Sequence, residues 1–223
     1  AMTADDLARH EGLWVNCISQ EFGDLLIHEI PPNGQGLAAL IALGVLDRLN
    51  IDQYPENSTD SIHLQIEAMK VGFAEAHRHV SDPDTMDIAV ETMLDPKRLE
   101  ERASEIRLSQ ASFPVARVSD DRGTVYLCAG DAAGMMVSYI QSNYEGFGSG
   151  IVIPDTGISL QSRGSGFTLQ ANHPNQVNGQ KRPFHTIIPA FATRAGRPLL
   201  AFGVMGKHMQ PQGHVQVLMR MCF

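Results

Sequence analysis

Thr124 is the residue with the most chemistry in prospect. It follows Gly123, where the polar stretch Ser119-Asp120-Asp121-Arg122 gives way to the apolar run Val125-Tyr126-Leu127. A threonine hydroxyl is a weak nucleophile until a base takes its proton. Cutting the bond between Gly123 and Thr124 would free the α-amine of Thr124 and so put that base on the same residue. A glycine-threonine pair ahead of a strand is common by itself, so the weight falls on the segments that come after it.

Four later segments are rich in glycine and small polar residues: 141–150, 161–167, 181–186 and 203–214. Glycine lets backbone N–H groups approach a ligand closely, which is what holding an oxyanion requires. Arg163, in the second segment, carries the planar fork that pairs with a carboxylate. His185, His208 and His214 gather in the last two segments. Each is expected to make structural hydrogen bonds, and His185 can also touch a ligand. His77 and His79 stand two apart, which on a helix sends them to different sides. They are expected at a solvated helix end rather than as a metal pair. Asp120 and Asp121 read as a solvated loop. No metal or cofactor is expected.

These segments need elements to position them. Residues up to about 110 read mainly helical. Thr3 is an N-cap with Asp6 three residues on. Residues 24–30 form a short strand that Pro31-Pro32 ends. Asn33-Gly34-Gln35-Gly36 then turns into an apolar helix over 37–49. Residues 60–79 make a helix capped by Ser58 or Thr59, with Ile62, Ile66, Met69 and Phe73 on the face meant for burial. Asp95-Pro96 opens a third helix to about residue 108.

Residues 109–123 read as a connection, and strands dominate beyond it. They are expected over 124–129 and 135–142, over 157–162, and over 184–193 and 198–204, the last two joined by Arg194-Ala195-Gly196-Arg197. Residues 215–220 suit a helix or a strand. Helices first and antiparallel strands after give an α+β layered fold in three stretches: helical 1–110, linker 111–123, strand-rich 124–223. Cys128 is expected to be buried, and Met135, Met136, Met205 and Met209 to fill the core.

Gly123-Thr124 with Asp131 and Gly134, Ser142-Asn143-Tyr144 followed by Gly146-Phe147-Gly148-Ser149-Gly150, Lys181-Arg182-Pro183 with Pro189, and Gly203-Val204-Met205-Gly206 with Gln210-Pro211-Gln212-Gly213-His214 resemble the γ-glutamyltranspeptidase family. The start at 3–7 and the Pro31 to Gly36 turn match as well, so the resemblance covers essentially the whole chain. It implies an αββα sandwich of the N-terminal-nucleophile hydrolase type. It also implies a proenzyme that cleaves itself ahead of a nucleophilic threonine and then transfers a γ-glutamyl group, typically from glutathione, to water or an amino acid.

The resemblance puts Thr124 at the nucleophile. Ser142 falls where a threonine hydroxyl supports that nucleophile, and Gly206 at the first of two glycines whose N–H groups form the oxyanion hole. Lys207 stands at the second glycine, so its N–H serves there only if the backbone tolerates a side chain. Thr186 keeps a hydroxyl where the family has the second of two substrate-binding serines, and His185 replaces the first. Tyr144 stands for an asparagine near the nucleophile. Arg163 and Gly166 stand for the glutamine and aspartate that hold the substrate's α-amine. Losing that aspartate brings in an alternative, a cephalosporin or glutaryl-type acylase whose acyl group ends in a carboxylate and lacks the amine. The chain is less than half the family's usual length and reads as an internal fragment with an incomplete sandwich. A catalytically silent folded module is therefore the reading from a different class.

Composition narrows the partners. At 223 residues, 43% hydrophobic and 19% charged, the chain suits one globular unit. A net charge of −8 without a lysine/arginine cluster argues against nucleic acid. No apolar stretch is long enough to span a bilayer. Cys17, Cys128 and Cys222 are too far apart for a disulfide framework or zinc spacing. The expected partner is a small γ-glutamyl or related acyl amide. Unpaired sheet edges point to a homo-oligomer. The expected compartment is the cytoplasm, with the periplasm as the alternative.

Overall fold

The computed structural model describes residues 3–112 and 124–223. Gly123, one side of the expected cleavage site, lies outside them, as do Asp120 and Asp121. The first helix, α1 (Ala4–Ala8), is set by a reciprocal cap: the Thr3 hydroxyl accepts from the Asp6 amide and the Asp6 side chain accepts from the Thr3 amide. Strands β1 (Ile18–Phe22) and β2 (Leu25–Glu29) form an antiparallel hairpin through Gly23, which takes a φ of 57°. In β2 the inward face is Leu25, Ile27 and Glu29. Strand β1 was not legible in the sequence because its residues are mostly polar and only Phe22 is fully buried.

Helix α2 (Gly36–Arg48) is buried on every side from Gly36 to Leu46, as its even apolar composition demands. Helix α3 (Thr59–His79) is capped by the Ser58 hydroxyl and runs against α2. It buries only part of the expected face: Met69 is buried and Phe73 partly so. Ile62 and Ile66 are 45% and 46% exposed, and the contact is made by Leu64, Ala68, Met69, Gly72 and Ala76. The reason is closeness. A Cβ on Gly72 would stand 2.3 Å from the Ala38 carbonyl oxygen, so small side chains, not large ones, define the seam. Helices α4 (Val90–Met93) and α5 (Pro96–Ser104) follow, and α5 is capped by Asp95 and ends four residues short of expectation. Glu75 of α3 ties α5 down through Arg98 at 2.7 Å and Arg102 at 2.9 Å.

Strands β3 (Thr124–Gly130) and β4 (Met136–Ser142) form a hairpin. Strands β5 (Ala190–Arg194) and β6 (Arg197–Phe202) form another, turning through Ala195 and Gly196 at φ 48° and 73°. Residues 157–162 form no strand, only an isolated bridge between Val152 and Ser159. The chain ends in helix α6 (Gln210–Cys222).

The four-stranded antiparallel sheet has the order β1-β2-β5-β6, so it joins strands from both ends of the chain. Helices α2 and α6 close one face of it around Phe22, Ile27, Ala190, Ala192 and Phe202, with α3 and α5 behind α2. The β3–β4 hairpin packs on β6, where the Ser138 hydroxyl donates to the Phe202 carbonyl at 3.2 Å. Among the described residues no helix covers the outer face of this hairpin, and Val125, Leu127, Val137 and Tyr139 are 45–56% exposed there. Cys128 is exposed too, and so are Met135, Met205 and Met209, against expectation. The fold is α+β, with helices on one face of the four-stranded sheet and the β3–β4 hairpin packed on β6.

Candidate active site

Register in the β3–β4 hairpin decides what faces Thr124. The Asp131 carboxylate accepts from the amides of Ala133 and Met135, both at 2.9 Å, and Gly134 takes the positive φ that closes the turn. With the turn so fixed, Thr124 lies directly across from Ser142. The Ser142 hydroxyl in turn accepts from Arg163 Nη2 at 2.5 Å and from the Tyr144 amide at 3.3 Å.

Arg163 lines a cavity of about 320 Å³ together with Tyr144, His185 and Thr186. Thr124, Ser142, Gly206 and Lys207 are not on its wall. Ser142 is linked to it through Arg163, and Lys207 through Tyr144. The Arg163 guanidinium stacks on Tyr144 with its carbon 5.4 Å from the ring centre, and its Nη1 is buried with no partner. Burial pulls its pKa down from the ordinary arginine value, yet a guanidinium stays charged in proteins. An unpaired buried donor is costly, and a ligand carboxylate is the natural acceptor for it.

The turn that carries Arg163 ends at Gly166, where a Cβ would stand 2.3 Å from the Phe184 carbonyl oxygen. No side chain fits there without a shift of the backbone. Asn175 fastens this turn to the opposite wall. Its Nδ2 donates to the Gly166 carbonyl at 2.6 Å and its Oδ1 accepts from the Phe184 amide at 3.0 Å.

Lys207 does adopt the conformation that a glycine would take easily, with a φ of 52°, next to Gly206 at 142°. The left-handed region is open to a residue with a Cβ, at a cost of about 1–2 kcal/mol. The residue is 3% exposed. The ammonium is neutralised by Glu145 at 2.7 Å and lies 5.0 Å from the Tyr144 ring centre. Tyr144, itself at φ 76°, is therefore contacted by two cations, Arg163 and Lys207.

The histidines were only partly legible. His77 is exposed in the last turn of α3, as expected, and also borders the cavity, tilted against Phe184 at 5.5 Å and His208 at 5.7 Å. His79 is buried and bonds Asp87 at 2.8 Å. His214, as expected, is a structural hydrogen-bonder: it meets Glu29 at 2.6 Å in the core. Desolvation, seconded by the charges of Arg163 and Arg182, lowers the His185 pKa to about 4. Desolvation also lowers those of His77 and His208. All three are neutral imidazoles at neutral pH. Nδ1 of His185 and of His208 is buried without a partner.

Sequence reasoning missed Glu145, Asn175 and Gln35, since an amide or carboxylate gives no local sign of its partner, which lies nine residues away for Asn175 and more than sixty away for Glu145 and Gln35. Among the described residues no cluster of three or more His, Cys, Asp or Glu is arranged to hold a metal ion.

The whole chain, residues 1–223, matches the family model for gamma-glutamyltranspeptidase. A glutathione hydrolase-like YwrD proenzyme of Bacillus subtilis is 36% identical over 99% of this chain and 42% of its own length. An oxamate amidohydrolase proenzyme of Klebsiella pneumoniae is 34% identical over 98% of this chain and 41% of its own. The solved cephalosporin acylase from Bacillus halodurans superposes with a TM-score of 0.87 at 43% identity, over 98% of this chain and 40% of that one. The chain thus spans about two-fifths of the length of these relatives, and it belongs to the gamma-glutamyltranspeptidase family.

Proposed function

We propose that the protein is an amidohydrolase and acyltransferase that cleaves itself between Gly123 and Thr124 and then uses Thr124 as its nucleophile. The observation that carries this reading is the place of Thr124. It opens β3 directly across from Ser142, whose hydroxyl is held by the cavity's arginine. In the reaction the freed α-amine takes the proton from Thr124 Oγ, and Oγ attacks the carbonyl carbon of the substrate amide. N–H groups at Gly206 and Lys207 stabilise the oxyanion. The amine product departs with the proton, and water or an acceptor amine then resolves the acyl ester and restores the hydroxyl.

The cavity favours one acyl group within this chemistry. Among the described residues its wall carries Arg163 with an unpaired N–H and four histidines, and no aspartate or glutamate. Such a wall suits a terminal carboxylate and offers an α-ammonium no carboxylate among the described residues. A glutaryl-type amide therefore fits better than a γ-glutamyl one. The test compares γ-glutamyl and glutaryl anilides, which differ only in the α-amine, on the complete protein. We expect kcat/KM to be higher for the glutaryl compound. A tenfold preference for γ-glutamyl would return the reading to glutathione-like donors, and turnover of neither would remove the enzyme assignment.

A further inference from the structure

The turn after β2 docks along one wall of the cavity. Asn33 Nδ2 donates to the Pro183 carbonyl at 2.6 Å, and the Asn33 carbonyl accepts from the His185 amide at 3.1 Å. Gly34 is bare where a Cβ would stand 3.0 Å from the His185 ring. The Gln35 amide donates to the His185 carbonyl at 3.1 Å. The Gln35 side chain then joins two segments that do not otherwise share a backbone ladder. Its Nε2 donates to the Thr186 carbonyl at 2.6 Å and to the Lys207 carbonyl at 2.7 Å. The residue is 0% exposed.

Both hydrogens of one planar amide are thereby spent, and because they diverge at a fixed angle they set how the two carbonyls sit relative to each other. One carbonyl belongs to the cavity wall. The other belongs to the left-handed residue after Gly206, a conformation that persists only where its surroundings over-determine it. We propose that Gln35 is a positioning residue that locks the Gly206–Lys207 turn in place against the His185–Thr186 wall. The catalytic value of this tie rests on the function proposed above; the tie itself does not.

The test is hydrogen exchange read by mass spectrometry on the complete protein, for wild type, Gln35→Met and Gln35→Asn. Methionine keeps the shape and loses both donors. Segments 184–187 and 206–209 are expected to exchange about tenfold faster or more, both together, with α3 unchanged. Asparagine has a shorter reach and keeps one bond, so it should loosen one segment and leave the other protected. It also supplies a second variant should methionine fail to fold. Unchanged exchange at 206–209, or a uniform rise across the chain, overturns the proposal. If the wild type turns over an acyl anilide, kcat in Gln35→Met should fall at least tenfold and by more than KM rises, and a wild-type kcat would overturn the positioning role. If the wild type turns over nothing, the proposed function fails and the exchange data alone decide on Gln35.

Discussion

At the scale of single residues the site is governed by desolvation. His185 has its folded pKa lowered to about 4 by burial and by the charges of Arg163 and Arg182, against about 6.5 for a free histidine. The sign follows from linkage. As pH falls from about 6.5 to about 4, the unfolded chain takes up a proton at this position and the folded chain does not, so stability declines across that window. His77 and His208, both lowered as well, add in the same direction. Urea unfolding of wild type and His185→Gln at pH 7, 5.5 and 4.5 should show a steeper acid loss in wild type, the slopes differing by up to about one proton. Equal slopes would mean that the imidazole is protonated in the fold. Arg163 could be singled out from the sequence because a guanidinium announces its use. Gln35 and Asn175 could not, because an amide is as common in a solvent-facing turn as in a buried tie, and only the partners distinguish the two.

At the scale of elements, the capping and turn residues were read correctly where the chemistry is local. Thr3, Ser58 and Asp95 cap the helices they were expected to cap, and the Ala195-Gly196 turn joins β5 to β6. Faces were read less well. Periodicity put Ile62 and Ile66 of α3 inward, but a helix pressed this close to α2 buries its small residues instead. This gives a prediction opposite to helix propensity. Gly72→Ala should favour the isolated helix by about 1 kcal/mol, yet push a methyl into the Ala38 carbonyl and destabilise the protein by about 1–3 kcal/mol on balance. Chemical denaturation measures this, and a stabilised Gly72→Ala would show that the helices can part without cost.

At the scale of the molecule, one sheet is assembled from strands on both sides of the expected cleavage point: β1 and β2 precede it, and β5 and β6 follow it. Cutting the chain at Gly123 would leave two pieces still paired through β2 and β5. The α+β layering was legible from the order of helical and strand-rich stretches. The exposure of Cys128 and of the outer hairpin face was not, because alternation in β3 and β4 says which residues share a face and not whether anything covers it. We propose that this architecture readies Thr124 to become an N-terminal nucleophile. Intact-mass spectrometry on freshly purified and aged protein, beside Thr124→Ala, tests it most directly. The account predicts two fragments meeting at Gly123 and Thr124 in the wild type and a single uncut chain in Thr124→Ala. An uncut wild type, or a Thr124→Ala protein that is still cut at Gly123, would contradict it.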